Sequence, residues 1–395
     1  MGPPMEMTNT PSTQTECKSG IAKNSRRPRI LLVGPHPPTK GGVTTFMLNL
    51  IASPLSSSFE FVPFTTTRPP KANVIDNWGY ASILRGGVRR ILLGMALTVW
   101  HLISFPFIII RQKIDLVQIQ ASDYQVFWES TIYAAMAGLL RRPVLFRIGG
   151  AFDKFHGHAT PLEKKMIMAA LHRPQAVIVQ SEFAHRYIVE AGYTGEIVVL
   201  PNWLHSFHHS DSAPPSLSQP TCLFIAGAEA RRKGVEGVLA AMQALDKAGC
   251  PVNFHLIAVP PLLKERIRDM QFNGVVAVEG PVSHQRVLHL MRNTEIFLLP
   301  SHGEGFPNSL VEAMGSGMAS IATPVGAIPE MAASGGVTLV PVGDAAALQA
   351  AIARLATDPA LRQQMSEKAV QTVRAHYTSD AALPVLKAAY QRLIR

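Results

Sequence analysis

Short runs of β-branched and aliphatic residues recur along this chain with longer helix-compatible stretches between them, as a parallel α/β architecture requires. Before position 201 the runs are Ile30–Val33, Asp115–Gln120, Val144–Ile148, Ala176–Gln180 and Ile197–Leu200. After position 220 they are Cys222–Ala226, Phe254–Ala258, Val275–Glu279, Ile296–Leu299, Ser320–Thr323 and Val337–Val340. Most lack strict alternation of apolar and polar residues, so the strands are predicted to be buried on both faces beneath covering helices.

Between the two sets lies NWLHSFHHSDSAPPSLSQP, Asn202 to Pro220, a polar stretch whose Pro, Ser and His content predicts a linker. At 395 residues the chain exceeds one ordinary domain, and two is the simplest division. The expected organisation is a flexible tail over 1–27, a Rossmann-like domain over 28–201, the linker over 202–220, a second Rossmann-like domain over 221–378 and a closing helix over 379–395. The tail has no apolar periodicity and lacks the apolar centre of a signal peptide. In the closing helix Leu383, Val385, Leu386, Ala389, Tyr390 and Leu393 approximate one face, which suits a return to the first domain.

With 47% hydrophobic and 16% charged residues, the chain has material for large cores and is not disordered as a whole. Cys17, Cys222 and Cys250 are odd in number and form no close pair, which argues against a disulfide framework or a zinc site and fits a reducing cytosol. His205, His208 and His209 have only Asp211 at ligand spacing, so they read as solvated linker and no metal is expected.

The formal charge of +10 is uneven: residues 1–200 carry +9 and residues 201–395 carry +1. Such an excess attracts an anionic membrane surface or a phosphorylated substrate. No basic stripe is interleaved with aromatics, so nucleic acid is not an expected partner. The run Ile91–Ile110 has no formal charge and basic flanks at Arg89, Arg90, Arg111 and Lys113. It reaches the spanning length of about 20 residues, but Thr98, His101, Ser104 and Pro106 dilute it. Two readings stand: a core helix followed by a loop, or interfacial insertion by a protein peripheral to the cytoplasmic membrane.

The stretch IFLLPSHGEGFPNSLVEAMGSG, Ile296 to Gly317, is the most informative chemically. A buried strand ends at Pro300, glycines bracket Glu304, and a helix is predicted to start near Pro307 to Ser309. Ser309 and Glu312 have capping-box spacing. A strand, a glycine loop and a helix start aim unpaired N–H groups and a positive dipole end at the strand's carboxyl edge, which makes an anion site. Glu312 has two readings from spacing alone, helix cap or ligand contact.

The segment EGFPNSLVEAMGSG resembles the E-x7-E signature of retaining glycosyltransferase family four, also called glycosyl transferases group 1, of the GT-B fold. Gly227 with Arg232-Lys233-Gly234-Val235 resembles the family's loop after the first strand of its second domain. Thr323-Pro324-Val325-Gly326 with Pro329-Glu330, Gly41-Gly42-Val43 and Leu200-Pro201-Asn202 match its other loops in order, so the similarity covers nearly the whole chain beyond the tail.

The resemblance implies a metal-independent hexosyltransferase using a nucleoside diphosphate sugar, without a cofactor, on a glycan or lipid-linked acceptor in exopolysaccharide, capsule or lipopolysaccharide synthesis. Glu304 would contact the donor sugar near the reacting carbon, and Lys233 would stabilise the charge on the departing diphosphate. Gly227, Arg232, Gly305, Phe306, Asn308, Ser309 and Leu310 would complete the donor site, with Glu312 on the ribose. Gly41, Gly42, Gly149, Gly150, Asp153 and His156 would form the acceptor or diphosphate loops. Two positions depart from the family: Ala228 stands for an arginine, and Ile148 in RIGGAFDKFHGH stands for a histidine. Alternatives are a nucleotide-sugar epimerase of the same fold or a non-catalytic sugar-nucleotide-binding scaffold.

Overall fold

The computed structural model describes residues 26–37, 42–66, 88–122, 124–204, 219–227, 229–270 and 272–394. Gly41, Ala228, Cys17, Asp211, the linker histidines and the tail up to residue 25 lie outside the described residues.

Two parallel six-stranded sheets organise the molecule. The first contains β1 (Arg29–Gly34), β2 (Glu60–Thr65), β3 (Leu116–Ala121), β4 (Val144–Ile148), β5 (Ala176–Val179) and β6 (Glu196–Val199), in the order β2-β1-β3-β4-β5-β6. The second contains β7 (Thr221–Ile225), β8 (Asn253–Ile257), β9 (Val276–Val278), β10 (Ile296–Leu299), β11 (Ala319–Ala322) and β12 (Val337–Leu339), in the order β12-β11-β10-β7-β8-β9. This is the GT-B architecture, two Rossmann-like halves facing each other across a cleft. The strand order reverses between β1 and β3 and again between β7 and β10, so ligand crevices are expected at the carboxyl ends of those strands.

Every aliphatic run read from the sequence is a strand, and β2 is an addition. Pro63 interrupts the pattern EFVPFT, and a proline ordinarily argues against a strand. Here β2 is an edge strand paired only to β1, so the missing N–H can face away from the ladder. The central strands β3 and β4 are buried at every position, which is why they show no alternation.

The helix Ser379–Leu393 lies on the first sheet. Leu383, Leu386 and Tyr390 join Ile30, Leu32 and Leu116 in one core, and the Tyr390 hydroxyl donates to Gln118 Oε1. The chain therefore passes between the two halves near Asn202 and again near Tyr377. The two crossings touch, with Leu204 N donating to Tyr377 O at 2.9 Å and a parallel bridge between Leu204 and Thr378.

The run Ile91–Ile110 lies within one helix, Val88–Arg111, which continues through Pro106. The core-helix reading holds for one face and its loop is corrected: proline removes one backbone donor, and packing on the core keeps the helix continuous. Phe105 and Ile109 are fully buried against that core, whereas Val99, Trp100, Ile103, Phe107 and Ile110 are 55–65% exposed. Among the described residues no helix is long and apolar enough to cross a membrane.

Candidate functional site

The loop after β10 carries Glu304, whose side chain is only 12% exposed. Ser301 Oγ donates to Glu304 Oε1 at 2.9 Å, and Arg232 NH1 lies 3.3 Å from Oε2. Arg232 Nε also donates to Glu229 Oε2 at 3.0 Å, and its NH1 reaches the Gly303 carbonyl. Burial works against the Arg232 charge, but Glu304 and Glu229 outweigh it and raise its pKa above the ordinary arginine value.

The loop holding Arg232 is seated by Gly234, at φ +81°, where a Cβ would collide with the Pro300 carbonyl oxygen. Only glycine tolerates that approach and that φ. His302 N donates to Arg232 O at 2.7 Å, so the loops after β7 and β10 form one unit. Arg232 is thus the cation beside Glu304. Lys233 is half-buried in the same loop and makes no side-chain hydrogen bond or ion pair with the described residues. Gly227, at the end of β7, donates its N–H to Ala258 O at 3.0 Å.

The helix Asn308–Gly315 starts after Pro307, with no side-chain cap. The capping box read from Ser309 and Glu312 is therefore corrected, because the helix begins two residues too early for Ser309 to be its cap. Glu312 accepts instead from His284 Nε2 at 2.9 Å, which raises the His284 pKa. Leu310 is also revised: its side chain is fully buried and its N–H bonds Pro307 O at 3.1 Å. The amides of Asn308 and Ser309, the first two of the helix, have no acceptor within it. Phe306 contributes packing, its ring edge-on to Tyr377 at 5.7 Å.

Loops of the first half close on this unit from the other side. A Cβ on Gly305 would collide with the Gly150 carbonyl oxygen, so the two backbones touch. Lys154 Nζ donates to His302 O at 2.8 Å, and Phe183 N donates to Glu330 Oε2 at 3.2 Å. Gly42 begins the helix Gly42–Ile51 and faces Asn308, whose Nδ2 would lie 2.8 Å from a Cβ there. Gly149 donates its N–H to Ala121 O at 2.9 Å, joining the ends of β4 and β3.

Asp153 lines a small cavity between the halves with Ile148, Tyr187 and Gly305. His156 does not line it: it is 7% exposed, stacked on Phe152, with Nδ1 3.0 Å from the Tyr187 hydroxyl. Burial first, and Lys164 second, lower its pKa. A larger cavity of about 240 Å³ runs between Gly42, Thr45 and Asn49 on one side and Asn308, Glu312 and His284 on the other. It stops short of Glu304, so this cavity and the Glu304–Arg232 pair flank the same helix start.

Sequence reasoning gave Arg147 no role, and the structure makes it the largest fully buried side chain. Its guanidinium carbon stands 3.9 Å above the Phe46 ring, and NH2 donates to Asn202 Oδ1. An arginine inside the strand run Val144–Ile148 was the available signal, since an unpaired charge is rarely buried.

Residues 219–358 match the family model Glycosyl transferases group 1. The phosphatidyl-myo-inositol mannosyltransferase of Mycobacterium leprae (strain TN) is 28% identical over 242 residues, covering 59% of this chain and 61% of that protein. The chain thus matches under two thirds of that relative's length. Sucrose-phosphate synthase (tll1590) from Thermosynechococcus elongatus superposes with a TM-score of 0.71 at 19% identity, over 93% of this chain and 99% of that one. Anabaena Alr3699/HepE in complex with UDP-glucose gives a TM-score of 0.65 at 13% identity, over 92% and 99%.

Proposed function

We propose that this chain, a GT-B protein whose residues 219–358 match glycosyl transferases group 1, is a metal-independent retaining hexosyltransferase that uses a nucleoside diphosphate sugar. One observation carries the reading: the Glu304–Arg232 pair, the open helix start at Asn308 and Ser309, and the Gly42 helix start converge between the carboxyl edges of two parallel sheets. Residues 221–378 are the donor half, residues 28–201 the acceptor half, and the UDP-glucose complex of the Anabaena protein supports the donor class.

The diphosphate lies at the amides of Asn308 and Ser309 and the side chain of Lys233. As the glycosidic C–O bond breaks, negative charge grows on the phosphate, and preorganised donors stabilise it. Glu304, held by Ser301 and Arg232, faces the sugar and stabilises oxocarbenium character at the reacting carbon. The acceptor hydroxyl attacks from the leaving-group side and gives its proton to the departing phosphate, so configuration is retained. Glu312 holds the ribose from the opposite side of the helix.

The acceptor is a glycan or lipid-linked precursor of an envelope polysaccharide, reached from the cytoplasmic membrane surface. Support comes from the exposed stripe Val99, Trp100, Ile103, Phe107 and Ile110, the +9 excess of residues 1–200, and a relative named for a phosphatidyl-inositol acceptor. Calorimetry with UDP- and GDP-hexoses, then product analysis with membrane extract after exhaustive EDTA treatment, tests this. Transfer with retained configuration is expected. Donor binding without transfer favours the scaffold, donor conversion without acceptor favours the epimerase, and loss of activity restored by magnesium overturns metal independence.

A further inference from the structure

Arg147 is 1% exposed and belongs to β4. Among the described residues no carboxylate pairs with it, and burial pulls its pKa down to about 9. Its partners are neutral: the Phe46 ring, Gln120 Oε1 at 3.5 Å and Asn202 Oδ1. Gln180 Nε2 also donates to Asn202 Oδ1, at 3.1 Å.

These bonds settle the direction of an amide chain. A guanidinium has donors only, so the Asn202 oxygen must face it, and Asn202 Nδ2 must face away. Asn202 Nδ2 then donates to Asn308 Oδ1 at 2.6 Å. That fixes Asn308 in turn, its oxygen toward Asn202 and its Nδ2 toward Gly42, within 2.8 Å of where a Cβ would stand. The chain runs from the first sheet, through the crossing between the halves, to the first residue of the helix Asn308–Gly315.

We infer that Arg147 is a positioning residue which, through Asn202, locks the Asn308 side chain with its N–H donors aimed at the diphosphate of the nucleotide. The inference rests on the donor reading above and adds residues that touch no ligand. Without the lock, the Asn308 amide is free to turn by half a rotation and present its oxygen to the phosphate, exchanging attraction for repulsion. The chain also spans both halves, so the donor is presented correctly only while they are closed.

The discriminating variant is Asn202→Asp. The introduced carboxylate still accepts from Arg147 and Gln180 and gives the buried cation a counter-charge, so the melting temperature should equal or exceed that of the wild type. Its second oxygen cannot donate to Asn308, so Asn308 must reverse. We expect the Kd of the tighter of UDP and GDP, measured by calorimetry, to rise at least tenfold, about 1.4 kcal/mol. In an Asn308→Ala background the same substitution should change Kd by less than twofold, because the group it acts through is gone.

Arg147→Met supplies a second route: folded and at least as stable as wild type, with Kd raised several-fold, again only while Asn308 is present. A wild-type-like Kd in Asn202→Asp, or a loss that persists in the Asn308→Ala background, overturns the relay while leaving the donor reading intact. Failure of the wild type to bind either UDP or GDP overturns both.

Discussion

Two arginines drawn in from solvent stand on opposite sides of the cleft, and their surroundings are opposite in kind. Arg232, in the second half, lies among Glu304, Glu229 and a carbonyl, and the two carboxylates raise its pKa despite burial. Arg147, in the first half, has an aromatic face and neutral amides, and burial lowers its pKa to about 9. The charge of Arg232 is matched by neighbouring carboxylates, whereas among the described residues that of Arg147 has no carboxylate partner.

The strongest test strikes the satisfied side. Glu304→Gln keeps the size of the side chain but removes the charge that the proposed mechanism sets against the sugar, and transfer should fall by about two to three orders of magnitude, as for loss of one preorganised group. Thermal stability should change little. Turnover within a few-fold of wild type, with donor and acceptor saturating, would remove Glu304 from the site.

A second test sets the arginines against each other by melting temperature. Arg232→Met leaves Glu304 and Glu229 without their cation and should cost about 1–3 kcal/mol, since an orphaned, partly buried charge is the expensive outcome. Arg147→Met orphans no carboxylate and should be neutral or stabilising. Equal losses in the two variants would erase the contrast.

The smallest effects concern two histidines whose pKa shifts have opposite signs. Burial lowers the His156 pKa in the first half, so its contribution is present above the unfolded value of about 6.5 and is lost as pH falls below it. The substitution His156→Phe should raise stability relative to wild type increasingly as pH drops from about 7 to about 5. Glu312 raises the His284 pKa in the second half, so that contribution is full below about 6.5 and is lost as pH rises through the raised value. His284→Ala should therefore cost more at about pH 5.5 than at about pH 9. The His284 side chain is 59% exposed, which keeps the cost under about 1 kcal/mol. Melting curves across pH that shift in the same direction for both variants would contradict this assignment.

Strands were legible in the sequence because burial on both faces leaves continuous aliphatic runs, and short patterns suffice to detect them. The edge strand with Pro63 escaped because its tolerance depends on which neighbour it lacks, a property of sheet order. Glu304 was visible through its glycines and the helix behind it. Arg147 and His284 were not, since their importance lies in contacts with residues 55 and 28 positions away. Capping boxes have short spacing and look local, yet Ser309 failed as a cap because Pro307 starts the helix earlier.

The side-by-side crossings near Leu204 and Thr378 have a mechanical consequence. Two tethers far apart would hold the halves rigid against every rotation but one, while a single tether would let them swivel freely. Two that are hydrogen-bonded to each other act as one short pin. Torque about the line through them strains few contacts, and displacement grows with distance from it. Loops such as those of Gly150 and Gly305, which meet by backbone, can part through a small turn at that pin once the Lys154–His302 and Phe183–Glu330 bonds beside them are broken.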